Sequence, residues 1–223
     1  MRFLSYILIC IILFLSNSVF AVNKNEISEK DKNNIEEFSI IIENLIKGEE
    51  YSYASVLALD LITRYPNAPI GYFLLGRARQ LSGYKNEAIK AYKDCLKANN
   101  TYYSANINIG VIRHDQKKYK EAIRQYNKVI KNSSLDKEKA IAYSNRAIAY
   151  YDIGKTKQAL QDFEQIPNFD SQFLNSDKYF YTRGLYKFNL GDTEGAKLDY
   201  NQALKINPKL ECDFYSKENI CNY

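Results

Sequence analysis

The single histidine, His114, is the residue on which imidazole chemistry would have to rest, since the 223-residue chain contains no other. Its neighbour Asp115 cannot form a dyad with it inside a helix, because successive helical side chains point about 100° apart. The four cysteines form no CxxC pair and no zinc-type Cys/His spacing. Acidic pairs such as Glu36 and Glu37 lack the partner groups that acid–base catalysis needs. The sequence therefore predicts a protein that is not an enzyme, with no catalytic residues, metal or cofactor.

Five alanines recur along the chain at separations of 34, 34, 37 and 37 residues, and other positions keep register with them. Four residues after the alanine stands an aromatic side chain in four of the five cases, and twelve residues before it stands a small residue in four of five. This pattern predicts paired helices whose backbones approach at the small residues, with the aromatic side chain filling the gap to the next repeat. The alanines are Ala54, Ala88, Ala122, Ala159 and Ala196.

These repeats resemble the tetratricopeptide repeat (TPR), a pair of antiparallel helices of about 34 residues. The resemblance implies an all-α, right-handed superhelical solenoid of five TPR-like hairpins plus a C-terminal capping helix. Gly83, Gly154 and Gly191 are expected between the paired helices in the left-handed C-cap conformation. The predicted segments are a signal peptide (1–21), a flexible lead (22–34), five repeats (35–68, 69–102, 103–139, 140–176, 177–208) and a C-terminal cap and tail (209–223).

Because the first helices of TPR proteins line a concave groove that holds a peptide, the resemblance also implies a set of binding residues. Their aromatic rings would give contact area and their amides would pair with a peptide backbone. Phe73 and Phe188 fit packing between repeats equally well. The predicted groove residues are Phe73, Arg77, Asn108, Val111, His114, Asn145, Ile148, Tyr151, Lys178, Tyr181, Leu185 and Phe188.

The net charge of +5 is too small to indicate nucleic-acid binding, but the charge is unevenly distributed. Residues 113–139 hold nine Lys or Arg against four acids, whereas residues 22–50 hold four Lys against eight acids. Two interpretations of the basic region stay open. It is a solvated outer face, or it docks an acidic partner or an anionic membrane surface.

The first residues have the pattern of an export signal. Arg2 precedes an apolar run over residues 3–15, and small residues lead to an expected cleavage after Ala21. An uncleaved anchor is the alternative. No membrane span is expected after cleavage.

Cleavage after Ala21 would leave Cys95, Cys212 and Cys221 in the mature chain. An exported protein meets an oxidising environment, in which disulfides can form. We expect a Cys212–Cys221 disulfide, which requires a turn near residues 216–219, and a buried free thiol at Cys95.

Together these features predict an exported TPR scaffold or adaptor, periplasmic or secreted, that binds a peptide or protein partner in its concave groove. The bacterial cell envelope is the expected setting, and nucleic acid is not an expected partner. The alternative is a structural subunit that self-associates through a Tyr-rich surface, since the chain contains 20 tyrosines.

Overall fold

A computed structural model describes residues 28–210. The described residues divide between two units, with the boundary between Glu36 and Glu37. The signal segment, the cleavage site after Ala21, the predicted C-terminal cap beyond residue 210 and the Cys212–Cys221 disulfide all lie outside the described residues. The described helices are α1 (Glu29–Lys47), α2 (Tyr51–Arg64), α3 (Pro69–Leu81), α4 (Lys85–Ala98), α5 (Tyr103–Asp115), α6 (Tyr119–Asn132), α7 (Asp136–Asp152), α8 (Thr156–Gln165), α9 (Asp177–Asn189) and α10 (Thr193–Ile206).

Helices packed as successive hairpins confirm the predicted all-α TPR solenoid. Helix α3 packs on α4, α5 on α6, α7 on α8 and α9 on α10, and each hairpin packs on the next one along the chain. The recurring alanines Ala54, Ala88, Ala122, Ala159 and Ala196 are all fully buried, as the register requires.

The turns between paired helices carry the expected left-handed residues. Gly83, Gly154 and Gly191 have φ values of +88°, +75° and +84°, so the predicted glycine C-caps are confirmed. At the equivalent positions of the first and third repeats, Glu49 and Lys117 adopt φ values of 61° and 59°. A side chain in this conformation costs roughly 1–2 kcal/mol, which glycine avoids.

The small and aromatic positions pack against each other within one repeat. A Cβ added to Gly76 would lie 2.5 Å from a ring carbon of Tyr92, and the ring is fully buried. The Tyr92 hydroxyl donates to Gln80 of its own repeat (2.8 Å) and accepts from Asn108 of the next (3.2 Å). The aromatic side chain was expected to fill the gap between repeats. Its ring covers the glycine and also belongs to a buried cluster with Ala105, Ile109 and Ile112 of the next repeat, so the expectation is confirmed for this side chain.

The predicted flexible lead over residues 22–34 is corrected for its last six residues, because α1 begins at Glu29, and residues 22–27 lie outside the described part of the chain. Ser28 accounts for the start, since its hydroxyl accepts from the backbone N–H of Asp31 (3.2 Å) and donates to the Asp31 carboxylate (2.6 Å). The Ser28 hydroxyl therefore gives a backbone N–H group in the first turn of α1 a hydrogen-bond partner. The polar composition of this segment did not indicate that a helix begins here.

The two 37-residue repeats place their extra residues in helical structure. Helix α7 begins at Asp136, so the expected boundary between residues 139 and 140 falls inside it. Helix α8 ends at Gln165 before Pro167, as predicted, and is followed by two 3-10 helices, Ile166–Asn168 and Ser171–Asn175. Phe169, between them, stacks on Tyr143 of α7 with ring centroids 5.5 Å apart.

Candidate binding site

The predicted groove residues all lie on the first helices of their repeats, which are α3, α5, α7 and α9. None of the twelve is buried. Ile148 and Lys178 are exposed and the other ten are half-buried, so this face remains accessible. Whether these residues bind a partner stays a prediction.

Four of the twelve pack against buried clusters of the core, namely Phe73, Tyr151, Tyr181 and Phe188. The Phe73 ring lies 5.7 Å from that of Tyr92 and 5.0 Å from that of Tyr102. Phe188 packs against the buried pair Ala196 and Tyr200. These contacts join each phenylalanine to residues of its own repeat, so the packing between repeats that the sequence left open stays a prediction.

His114 is held by the next repeat. Its Nε2 lies 2.6 Å from the Asp152 carboxylate, and its ring meets that of Tyr119 edge-on at 5.3 Å. The adjacent Asp115 pairs instead with Lys85 at 3.0 Å, in agreement with the expectation that it forms no dyad with His114.

The same contact recurs one repeat further on. Tyr151 occupies the position of His114, and its hydroxyl accepts a hydrogen bond from Asn189 (3.2 Å), which occupies the position of Asp152. Both pairs are separated by 38 residues, one repeat length plus one residue. Two predicted binding residues therefore also connect neighbouring repeats.

A third polar contact crosses the predicted groove face at the start of the solenoid. The Arg77 guanidinium lies 3.7 Å from the Glu43 carboxylate of the preceding repeat. Glu43 and Arg77 each stand eleven residues before their repeat alanine. At the same position the next three repeats have apolar Val111, Ile148 and Leu185, so the face changes from charged to apolar along the chain.

Two buried ion pairs support the later part of the site, and the sequence analysis missed both. Arg146 makes two hydrogen bonds to Asp162 (2.7 and 2.6 Å), and Arg183 makes two to Asp199 (2.8 and 2.5 Å). Both aspartates are buried. The hydrogen bonds that Arg183 donates to the Asp199 carboxylate raise the pKa of Arg183 above its ordinary value, which keeps the guanidinium charged despite burial. The signal that could have found them is an Arg thirteen residues before the repeat alanine together with an Asp three after it.

The described residues contain no group of three or more His, Cys, Asp or Glu side chains placed to hold a metal ion. Helices within residues 28–210 are also too short or too polar to cross a bilayer. Cys95 is a buried free thiol, as expected, and burial raises its pKa to about 12. The candidate site in the described part of the chain is a surface of aromatic, amide and apolar side chains.

Comparison with known proteins agrees with this picture of stacked hairpins carrying a binding face. Models of the tetratricopeptide repeat match residues 100–166 and residues 71–102 and 177–210, which together are more than half of the chain. The chain belongs to the tetratricopeptide repeat family.

Relatives and solved structures extend the comparison. The chain is 34% identical over 129 residues to an Hsp70-Hsp90 organizing protein of Triticum aestivum, covering 55% of this chain and 21% of the relative. A MamA structure aligns with a TM-score of 0.66 at 17% identity, covering 82% of this chain and 97% of MamA. PilF of Pseudomonas aeruginosa aligns with a TM-score of 0.71 at 14% identity, covering 79% of this chain and 78% of PilF. The two structural likenesses show the fold. The wheat relative is matched over only about a fifth of its length.

Proposed function

We propose that this protein is an exported TPR scaffold or adaptor that binds a peptide or protein partner across the first helices of its repeats. Membership of the TPR family supports a role in protein–protein interaction. The name of the wheat relative, an Hsp70-Hsp90 organizing protein, describes a protein that brings other proteins together. We propose that the TPR repeats of this chain likewise bind a protein partner.

The observation that carries the proposal is the surface of α7. Asn145, Ile148 and Tyr151 follow one another at three-residue intervals, so they lie on one face of the helix. Ile148 is 39% exposed although it is a large aliphatic residue in the middle of the chain. An exposed apolar side chain between an amide and an aromatic ring gives a peptide both a hydrophobic contact and a hydrogen-bonding group.

Neighbouring helices extend this face. Val111 on α5 and Leu185 on α9 stand at the same repeat position as Ile148, and both are half-buried. The three side chains form an apolar row that crosses three repeats. A row of this kind fits an extended or helical segment that places apolar side chains at regular intervals.

Export to a bacterial envelope is part of the proposal and is supported by the N-terminal sequence. Arg2, the apolar run over residues 3–15 and the small residues before position 22 have the order of a secretory signal. N-terminal sequencing of the protein recovered from the periplasm or medium should start at Val22. A retained Met1 would indicate an anchor.

The binding face is tested with peptides selected from a displayed library on the wild-type protein. Ile148→Ser should weaken a selected peptide by roughly 1–3 kcal/mol, because a central apolar contact is lost. Leu198→Ser is the matched control, since Leu198 is 71% exposed on α10, a second helix. Binding that is equally strong in the Ile148 variant would refute the groove as the site. Tyr151 is less suitable for substitution because its ring also packs on Tyr186 at 5.0 Å.

The alternative, self-association through a Tyr-rich surface, finds little surface of that kind. Among the tyrosines in residues 28–210, Tyr84 alone is exposed, at 55%, and the others are buried or half-buried. Tyrosine in this part of the chain is used mainly inside and between the repeats.

A further inference from the structure

Four lysines surround a cavity of about 490 Å³ at the turns of the third and fourth repeats. Three come from the turn between α5 and α6 and the first residues of α6, and the fourth precedes α8. Tyr119, Glu121 and Ile153 complete the lining. The lysines are Lys117, Lys118, Lys120 and Lys155. We call this site the lysine pocket.

The charge of the lysine pocket is not neutralised by the protein around it. None of its four lysines makes an ion pair with another described residue. Nearby acids are already engaged, since Glu121 pairs with Arg113 (3.1 Å), Asp115 with Lys85 (3.0 Å) and Asp152 with His114 (2.6 Å). Four uncompensated positive charges around one concave site attract an anionic group.

Two of the four lysines stand at a repeat position that is basic only in these two repeats. Lys118 and Lys155 each stand four residues before the repeat alanine, whereas the second and fifth repeats have Tyr84 and Asp192 there. Asp192 caps α10 by accepting from the N–H of Gly195 (2.9 Å). Neither lysine makes a side-chain cap for the helix it precedes, so helix stability does not account for them.

Tyr119 links the lysine pocket to the proposed binding face. Its ring forms one wall of the pocket and also contacts the ring of His114, which lies on the groove side of α5. A chain segment leaving the groove at this end would therefore meet the lysines next.

We propose that the lysine pocket binds a carboxylate-rich segment of the partner protein, next to the part that occupies the groove. This inference rests on the proposed function for the identity of the partner. Tyr119 and Ile153 give the pocket apolar walls for the methylene groups of acidic side chains. No arginine lines it, so the planar forks that favour phosphate are absent from this lining.

Fluorescence anisotropy of labelled octaglutamate on the exported form of the protein tests the pocket directly. Lys118→Glu combined with Lys155→Glu should weaken binding by about tenfold or more, and the wild-type affinity should fall steeply with added salt. The control variant, Lys90→Glu combined with Lys93→Glu, makes the same change of charge at two exposed residues of α4. It should stay within about twofold of wild type, since those lysines lie outside the pocket. The pocket substitutions place acidic residues before helix N-termini, where negative charge is favourable, and the control substitutions are at exposed positions. Circular dichroism should therefore show both variants folded.

Four results would overturn the inference. The first is an absence of octaglutamate binding by the wild-type protein, and the second is an equal loss in the pocket and control variants, which would indicate net charge alone. The third is binding to phosphatidylserine vesicles but not to octaglutamate, which would assign the lysines to a membrane. The fourth is a wild-type oligomer that dissociates in the Lys118/Lys155 variant, which would assign the pocket to a second copy. Ile148→Ser should leave octaglutamate binding intact, so failure of the groove and failure of the pocket are separate results.

Discussion

Gly76→Ala tests whether the contact between the small and aromatic positions sets the distance between paired helices. The new Cβ would lie 2.5, 2.6 and 2.9 Å from three ring carbons of Tyr92. Carbon atoms in ordinary contact are about 3.5–4.0 Å apart, so the ring must move by roughly 1 Å. It has little freedom to move, since it is fully buried and its hydroxyl bonds to Gln80 and Asn108.

The magnitude follows from three contributions. Overpacking costs roughly 1–3 kcal/mol, weakening the hydroxyl's hydrogen bonds costs about 1 kcal/mol more, and alanine gains about 1 kcal/mol over glycine in helix propensity. We therefore expect Gly76→Ala to lower the free energy of unfolding by about 2 kcal/mol. Urea denaturation followed by far-ultraviolet circular dichroism measures this.

A second background makes the Gly76 test specific. With Tyr92→Leu the ring is gone, so adding Gly76→Ala should be neutral or stabilising by up to about 1 kcal/mol, through helix propensity alone. The reasoning is refuted if Gly76→Ala is as stable as wild type, or if it is equally destabilising with and without the Tyr92 ring.

Three further predictions use other parts of the described chain. Lys117→Gly should stabilise the protein by about 0.5–1 kcal/mol in thermal unfolding, because glycine accepts the observed φ of 59°, and a lower melting temperature would contradict this. Asp199→Ala should destabilise by about 3 kcal/mol, because it leaves Arg183 and Lys187 without their buried carboxylate, and a wild-type urea midpoint would show that the pair contributes nothing. Cys95, fully buried with its pKa raised to about 12, should react with iodoacetamide at pH 8 only in denaturant, and rapid modification of the native protein would refute its placement.

The fold was predictable because its determinants repeat. The buried alanines, the left-handed Gly83, Gly154 and Gly191, and the end of α8 before Pro167 were all visible as spacing or as residue type. Each of these depends on the local conformation of one hairpin. Neither the identity of the partner nor the exact length of the terminal helices is encoded in that way.

The starts of α1 and α7 were predicted poorly, and a serine hydroxyl lies just before each of them. Ser28 precedes α1, and Ser133 precedes α7, where its hydroxyl accepts from the N–H of Leu135 (3.1 Å) and donates to Glu138 (2.6 Å). Both residues stand in polar stretches that lack the repeat pattern. Periodicity therefore gave no information about where these helices begin.

The side-chain contacts between neighbouring repeats could not be predicted from the sequence, for a different reason. His114 with Asp152, and Tyr151 with Asn189, join positions that are offset by one residue between adjacent repeats. The register aligns equivalent positions, but it does not give the lateral shift of one hairpin against the next. That shift decides which side chain meets which, and it becomes known only with the packed structure.

The groove and the lysine pocket can be tested independently, because each repeat of the solenoid contacts chiefly its two neighbours. Ile148 lies on the first helix of the fourth repeat, whereas Lys118 and Lys155 precede the second helices of the third and fourth repeats. All three side chains are exposed, and none of them belongs to the buried core. Because each repeat is stabilised chiefly by its own hairpin and its two neighbours, such changes should not propagate along the chain. A partner that uses both sites would lose affinity in each variant separately. The two losses should add when the variants are combined, since Ile148 lies within a first helix and the two lysines lie in turns before second helices. A loss in the combined variant no larger than in either single one would mean that groove and pocket are not independent sites.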